Sequence, residues 1–248
     1  MERLRDATVV ITGGAQGLGL EIARAATAEG ASAILLDIDA EALVHAHAQL
    51  DPGSCSTFVC DIRDAAAVAA TLEAIKERHP DGVRALVNNA GVYTNDAIET
   101  TRPGRGTLAF EVNVHGTMNV TNAALQLGLL DRDSGQLIFI NSSAGDPLAT
   151  STSASERTYA ASKGALTAFA KAVAGACKDT AIRVTTLYPG GMDTNLYANA
   201  GMAPEASHGQ AWMMPPQRVA AAVAFVLSVP ADTTVSRVTL GPNPTRPR

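Results

Sequence analysis

Long apolar runs, cysteine pairs, aromatics and clustered positive charge are all scarce in this 248-residue chain. The longest apolar run, Val219 to Leu227, is far short of the roughly 20 residues that a bilayer helix needs, so no membrane partner is expected. Three cysteines (55, 60 and 177) form no Cys-x-x-Cys pair, and their odd number argues against a disulfide framework. They read as reduced thiols of a cytoplasmic protein. Lysine and arginine total 19 against 24 acidic residues, a net charge of −5 with no basic cluster, which argues against nucleic acid or an anionic membrane as partner. His45 and His47 stand two apart on an expected helix and face different sides, so no metal site is expected. The first residues, Met-Glu-Arg-Leu-Arg-Asp, lead straight into a strand, and no signal peptide is expected.

What is present is alternation. Residues 8–11, 33–36, 57–59, 85–87, 137–140, 183–187 and 235–240 are short runs rich in β-branched or apolar residues. They are continuously apolar, as strands covered on both faces are. Between them, 18–29, 40–50, 64–78, 107–128, 156–178 and 216–228 carry helical spacing. The pattern predicts an α/β fold, a doubly wound parallel sheet of the Rossmann type with about seven strands and helices on both faces, in a single domain over 1–248. Two segments break the rhythm: a Ser/Thr-rich loop at 146–157, and a long connection at 193–216 whose apolar content exceeds that of an ordinary loop. The end, 241–248, holds three prolines and is expected to be a loose tail.

The first strand runs into Thr12-Gly-Gly-Ala-Gln-Gly-Leu-Gly19 and then a helix. Glycines 13, 17 and 19 permit a tight turn and close backbone approach, and the helix N-terminus offers free N–H groups to a pyrophosphate. Ala15, Gln16 and Leu18 belong to the same loop. Strand two ends at Asp37, whose carboxylate would accept from both adenosine ribose hydroxyls and repel a 2′-phosphate. Neither Ala15-Gln16 nor Ile38-Asp39 supplies a basic residue, which favours NAD(H) over NADP(H). Asp39 is the better cap for the following helix. Asp61 and Ile62, after strand three, are placed to bracket the adenine.

Tyr159-Ala-Ala-Ser-Lys163 puts a phenol and an ammonium one helical turn apart. An adjacent ammonium can stabilise a phenolate and bring the tyrosine proton into the range of neutral-pH chemistry.

With Asn88-Asn-Ala-Gly91, Asn113, Ser142-Ser143 and Pro189-Gly190 in this order, the chain resembles the short-chain dehydrogenase/reductase family from residue 8 to about 240. The resemblance implies that Asn89, Ala90 and Gly91 line the cofactor, and that Pro189, Gly190, Met192 and Thr194 hold its nicotinamide carboxamide. It implies Tyr159 as acid/base, Lys163 on the nicotinamide ribose, and Asn113 holding a water that links Lys163 to solvent. Of two adjacent serines, Ser143 is taken as the one that bonds the substrate oxygen, because in relatives the serine followed by a small residue, before Ala-Gly, is the catalytic one. The stretch from Ser143 to Tyr159 is longer than usual in the family. Segment 192–215, with Leu196, Tyr197, Met202, Trp212, Met213 and Met214, takes the place of the family's substrate lid. Its apolar character, and the lack of an arginine cluster, imply a neutral, fairly apolar ketone or secondary alcohol. Relatives pair the helices at 107–128 and 156–178 with their copies, so a homodimer, or second a homotetramer, is implied. Epimerisation or dehydration with retained NAD, or a non-catalytic NAD-binding role, are the competing readings. The last should erode Asn113, Ser143, Tyr159 or Lys163, and all four are present.

Overall fold

The computed structural model describes residues 4–51, 53–95, 107–149, 156–203, 205 and 208–243. Strands β1 (Thr8–Thr12), β2 (Ser32–Asp37), β3 (Cys55–Val59), β4 (Ala85–Asn88), β5 (Gln136–Ile140), β6 (Arg183–Pro189) and β7 (Arg237–Leu240) form one sheet. Their order is β3-β2-β1-β4-β5-β6-β7, and every neighbouring pair is parallel. Helices α1 (Gly17–Ala28), α2 (Ala40–Ala48), α3 (Ala65–Arg78), α4 (Thr107–Phe110), α5 (Thr117–Gln126), α6 (Arg157–Ala176), α7 (Leu196–Asn199) and α8 (Pro216–Ser228) surround it. Among the described residues, no helix is long and apolar enough to cross a membrane.

The continuous apolar runs are explained by two cores, one on each face. Val9, Ile11, Leu35, Val87 and Ile138 point to the side packed by α1 and α8. Val10, Ile34, Leu86, Leu137 and Phe139 point to the side packed by α3, α5 and α6. Successive strand residues therefore serve opposite cores, which leaves no polar face. Asp39 caps α2 by accepting from the Ala42 N–H at 2.9 Å, and Asp64 caps α3 through Ala66 and Ala67.

Two expected elements differ in detail. The last strand begins at Arg237 rather than 235. The helix expected over 107–128 is interrupted: between α4 and α5, Glu111–Gly116 forms a π-helical turn. Asn113 lies in that turn, fully buried, and its side chain is drawn across to another segment. Of the loop at 146–157, residues 150–155 lie outside the described residues, as do 204, 206 and 207 of the 192–215 segment and 244–248 of the tail.

The strand order reverses between β1 and β4, whose neighbours lead outward in opposite directions. In open parallel sheets the crevice at the carboxyl ends of such a pair is where a ligand fits. Thr12 ties the two ends together. Its hydroxyl accepts from the N–H groups of Asn89 and Ala90, each at 3.1 Å. The Asn89 amide donates to the carbonyls of Thr12 and Gly13, each at 3.0 Å.

Candidate active site

A cavity of about 400 Å³ opens at that crevice. It runs from Asp37, Ile38, Asp61 and Ile62, past Gly13, Gln16, Gly17 and Leu18, to Tyr159, Lys163, Met192 and Thr194. Asn89, Ala90 and Gly91 form its floor beside β4. Four residues assigned to the cofactor do not line it. The Ala15 N–H is taken by Asp37 Oδ2 at 3.1 Å. Gly19 lies beneath the loop, where a Cβ would land on the Gly13 carbonyl oxygen, so its role is to let α1 pack under its own turn. Pro189 ends β6, and the Gly190 N–H is bonded to the Leu240 carbonyl at 2.7 Å, so both face β7.

At the outer end, Asp37 accepts from Ala15 N–H on one oxygen and from Asp39 N–H on the other, each at 3.1 Å. A carboxylate has about four lone-pair positions, so acceptor capacity remains toward the cavity. Asp61 is held by Arg63, whose guanidinium approaches both oxygens at 2.6–3.0 Å. The hydrogen bond from Arg63 holds its carboxyl below the usual range. Arg63 also lines the cavity, and nothing in its sequence neighbourhood beyond the i+2 spacing from Asp61 marks it.

At the inner end, α6 carries Tyr159 and Lys163 on one face, 7% and 4% exposed. Lys163 Nζ donates to the Ile140 carbonyl at 3.2 Å and lies 5.8 Å from the centre of the Tyr159 ring. Burial lowers the Lys163 ammonium to about 8. Burial pushes the Tyr159 phenol up to about 12; a hydrogen bond with Ser142 pulls it back, and the Glu156 charge raises it further. The expectation that Lys163 lowers the tyrosine is therefore not met in the protein alone. Both groups are taken out of water together, and desolvation of the phenolate outweighs an ammonium set off the ring.

The serine that acts to lower the Tyr159 phenol is Ser142, adjacent to the Ser143 singled out from the sequence. Ser142 is extended (φ −160°, ψ 154°) and prolongs β5, so it shares the side of Ile140, which lines the cavity. Ser143 begins the 3₁₀ turn Ser143–Gly145. The alternation of strand β5 past Ile140 was the signal available in the sequence. Ser142→Ala is expected to lower kcat/KM about a hundredfold, as loss of one donor to a developing oxyanion does, and Ser143→Ala less than threefold. Steady-state kinetics of the two variants on one substrate decide between them, and the reverse order would restore Ser143.

The Asn113 side chain is engaged by neighbouring segments. Its Oδ1 accepts from Val92 N–H at 2.8 Å, and its Nδ2 donates to the Val92 carbonyl at 2.9 Å and to Ser162 Oγ at 3.0 Å. The amide thus braces the segment after β4 against α6. Gly91 sits between it and the ammonium: a Cβ there would lie 3.2 Å from Asn113 Oδ1 and 3.5 Å from Lys163 Nζ.

The segment after β6 closes over this end. Met192 bridges Met214, and the Asp193 N–H donates to the Met214 carbonyl at 3.0 Å. Asn195 Nδ2 reaches across to Gln16 Oε1 at 3.2 Å, a contact between this segment and the glycine loop that no local pattern marks. Tyr93, Tyr159, Tyr197 and Met213 form a small buried cluster of their own. The ring of Tyr93 is 5.0 Å from that of Tyr159 and 4.9 Å from that of Tyr197, and Trp212, 44% exposed, stands 5.2 Å outside Tyr197.

Comparison with known proteins bears on the family and the fold. A family model described as short chain dehydrogenase matches residues 7–204. Oxidoreductase UcpA of Escherichia coli (strain K12) is 34% identical over 191 residues, 77% of this chain and 71% of that protein. Galactitol 2-dehydrogenase (L-tagatose-forming) of Cereibacter sphaeroides is 33% identical over 238 residues, 93% of this chain and 91% of that protein. Among solved structures, an alcohol dehydrogenase from the archaeon Thermococcus sibiricus complexed with 5-hydroxy-NADP superposes with a TM-score of 0.84 at 24% identity, covering 98% of this chain and 100% of its own.

Proposed function

Because the chain belongs to the short-chain dehydrogenase family, we propose that it is an NAD(H)-dependent oxidoreductase that interconverts a small secondary alcohol and its ketone. The observation that carries this reading is one cavity with Asp37 at one end and the buried Tyr159–Lys163 pair at the other. The fit for a dinucleotide rests on that span, and on Gly13, Gly17 and Gly91, which line it without side chains. When bound, the nicotinamide supplies the hydride acceptor or donor, and in its oxidised form a positive charge.

The chain's own residues do the rest. Tyr159 Oη takes the hydroxyl proton during oxidation and returns it during reduction. Ser142 donates to the substrate oxygen as charge develops there. Lys163, whose ammonium is buried and held by the Ile140 carbonyl, adds positive charge beside the phenolate and would hold the nicotinamide ribose. Asn113 keeps Val92 and Ser162 in place around them. Asp37 favours NAD over NADP by accepting from ribose hydroxyls and repelling a phosphate. The rings of Tyr93 and Tyr197, with Met213, support a neutral substrate with an apolar flank. The galactitol 2-dehydrogenase relative supports oxidation of a secondary alcohol.

A panel of secondary alcohols with NAD, followed at the nicotinamide absorbance, tests the reading; the expected result is cofactor reduction that requires both partners. Absence of reduction with any alcohol, and of oxidation with the matching ketones, would contradict it.

A homodimer is part of the same reading, joined through α4, α5 and α6. Its support is Phe110 of α4, an apolar ring exposed at 36%. Light scattering at micromolar concentration should give the mass of two chains. The mass of one would refute the pairing, and that of four would show that a second face is also used.

A further inference from the structure

Gln16 stands at the N-cap of α1, yet its side chain makes no capping bond to that helix. It is turned instead to the segment after β6, where its Oε1 accepts from Asn195 Nδ2 at 3.2 Å. The two residues are 179 positions apart in the chain, and both line the cavity of about 400 Å³. Beside them Gly17 has no side chain, and a Cβ there would lie 3.5 Å from Thr194 Cβ. The glycine loop and the segment after β6 therefore meet on this side of the cavity.

The segment that carries Asn195 is fixed at its root by backbone bonds. Met214 N–H donates to the Gly191 carbonyl at 2.9 Å, and Asp193 N–H donates to the Met214 carbonyl at 3.0 Å. On the other side of Asn195, Tyr197 is anchored in the buried aromatic cluster. Between these two anchors the tie to the glycine loop is a pair of amide side chains exposed to solvent. A neutral hydrogen bond in contact with water contributes little net stability, so it opens and re-forms readily. Rotation of the two side chains opens it without disturbing either anchor.

We propose that the Gln16–Asn195 pair is a gate on the cofactor channel: a dinucleotide enters and leaves between the glycine loop and the segment after β6, and each passage requires this bond to open. The proposal rests on the cavity being the dinucleotide site, and not on the alcohol reaction. The bond joins protein atoms only, so it raises the barrier to entry and exit alike and leaves the affinity nearly unchanged. That separates a gate from a contact to the cofactor, whose loss speeds exit alone and weakens binding.

Rates of NADH binding and release by the full chain, followed by stopped flow through the nicotinamide fluorescence, test this in Gln16→Ala, Asn195→Ala and the double variant. In each single variant kon and koff are expected to rise together by about three- to tenfold, the range that one neutral hydrogen bond supports, with Kd within about twofold of wild type. The double variant should match the singles within about twofold, because either substitution removes the same bond. The rates are read from the bound fraction, so partial misfolding lowers the amplitude and leaves them unchanged. Rates equal to wild type in all three variants overturn the gate while leaving the dinucleotide site intact. So does a rise in koff with kon unchanged, which would make the substituted residue a direct contact to the cofactor. A double variant whose effect is the product of the singles overturns the pairing. Absence of NADH binding by the wild-type protein overturns the dinucleotide reading, and the proposal with it.

Discussion

Tyr159→Phe is expected to lower kcat about a thousandfold, within the range a positioned acid/base contributes, while cofactor affinity changes less than threefold. The expectation follows from what the substitution removes: the ring keeps its contacts with Tyr93, and only the hydroxyl facing Ser142 is lost. Retention of more than about a tenth of wild-type kcat, a barrier change under about 1.4 kcal/mol, would reject Tyr159 as acid/base. Lys163→Ala should weaken cofactor binding and turnover together, because the ammonium serves both. The pH dependence has a definite sign. Alcohol oxidation needs the phenolate, and burial holds the Tyr159 phenol up to about 12 in the protein alone. The oxidation rate should therefore rise with pH toward the alkaline side, and ketone reduction, which needs the protonated phenol, should fall as pH passes the same value.

The second large effect concerns the choice of cofactor. NAD(H) should bind at least about tenfold more tightly than NADP(H), and Asp37→Ala should narrow that gap mainly by tightening NADP(H). Both carboxylate oxygens are anchored by backbone N–H groups, so the charge cannot swing aside to admit a phosphate. Arg63, the cation lining this part of the cavity, is held by Asp61 through three contacts of 2.6–3.0 Å. Titration of the free protein with each dinucleotide measures the gap without catalysis. Equal dissociation constants for the two cofactors would sink the reading of Asp37.

Most of the scaffold was legible because both faces of the sheet are covered, which makes each strand an uninterrupted apolar run set between helical spacings. The break at Glu111–Gly116 was not. Glu-Val-Asn-Val-His-Gly has acceptable helical spacing, and the distortion accompanies Asn113 bonds to Val92 and Ser162, which are distant in sequence. The glycine loop, Asp37 and the Tyr159–Lys163 turn were readable because their chemistry depends on local spacing. Ser142 and Ser143 are not distinguished by local spacing; only the extension of β5 past Ile140 puts Ser142 on the cavity side. Ala15, Gly19, Pro189 and Gly190 are close to the cavity in sequence, yet their backbones are used for Asp37, helix α1 and β7. Tyr93 and Glu156 belong to no motif. Only the fold brings a phenol from beyond β4 onto a carboxylate at the start of α6.

The central claim is that hydride passes between a substrate carbinol carbon and nicotinamide in a site whose base is Tyr159. A secondary alcohol that the protein oxidises, deuterated at its carbinol carbon and incubated with NAD and the wild-type protein, tests it most directly by the mass of the cofactor after turnover. The account predicts one deuterium in the reduced cofactor, and none above background with Tyr159→Phe. A substrate consumed while the cofactor stays oxidised and unlabelled would contradict it, and would mean that the cavity performs another reaction.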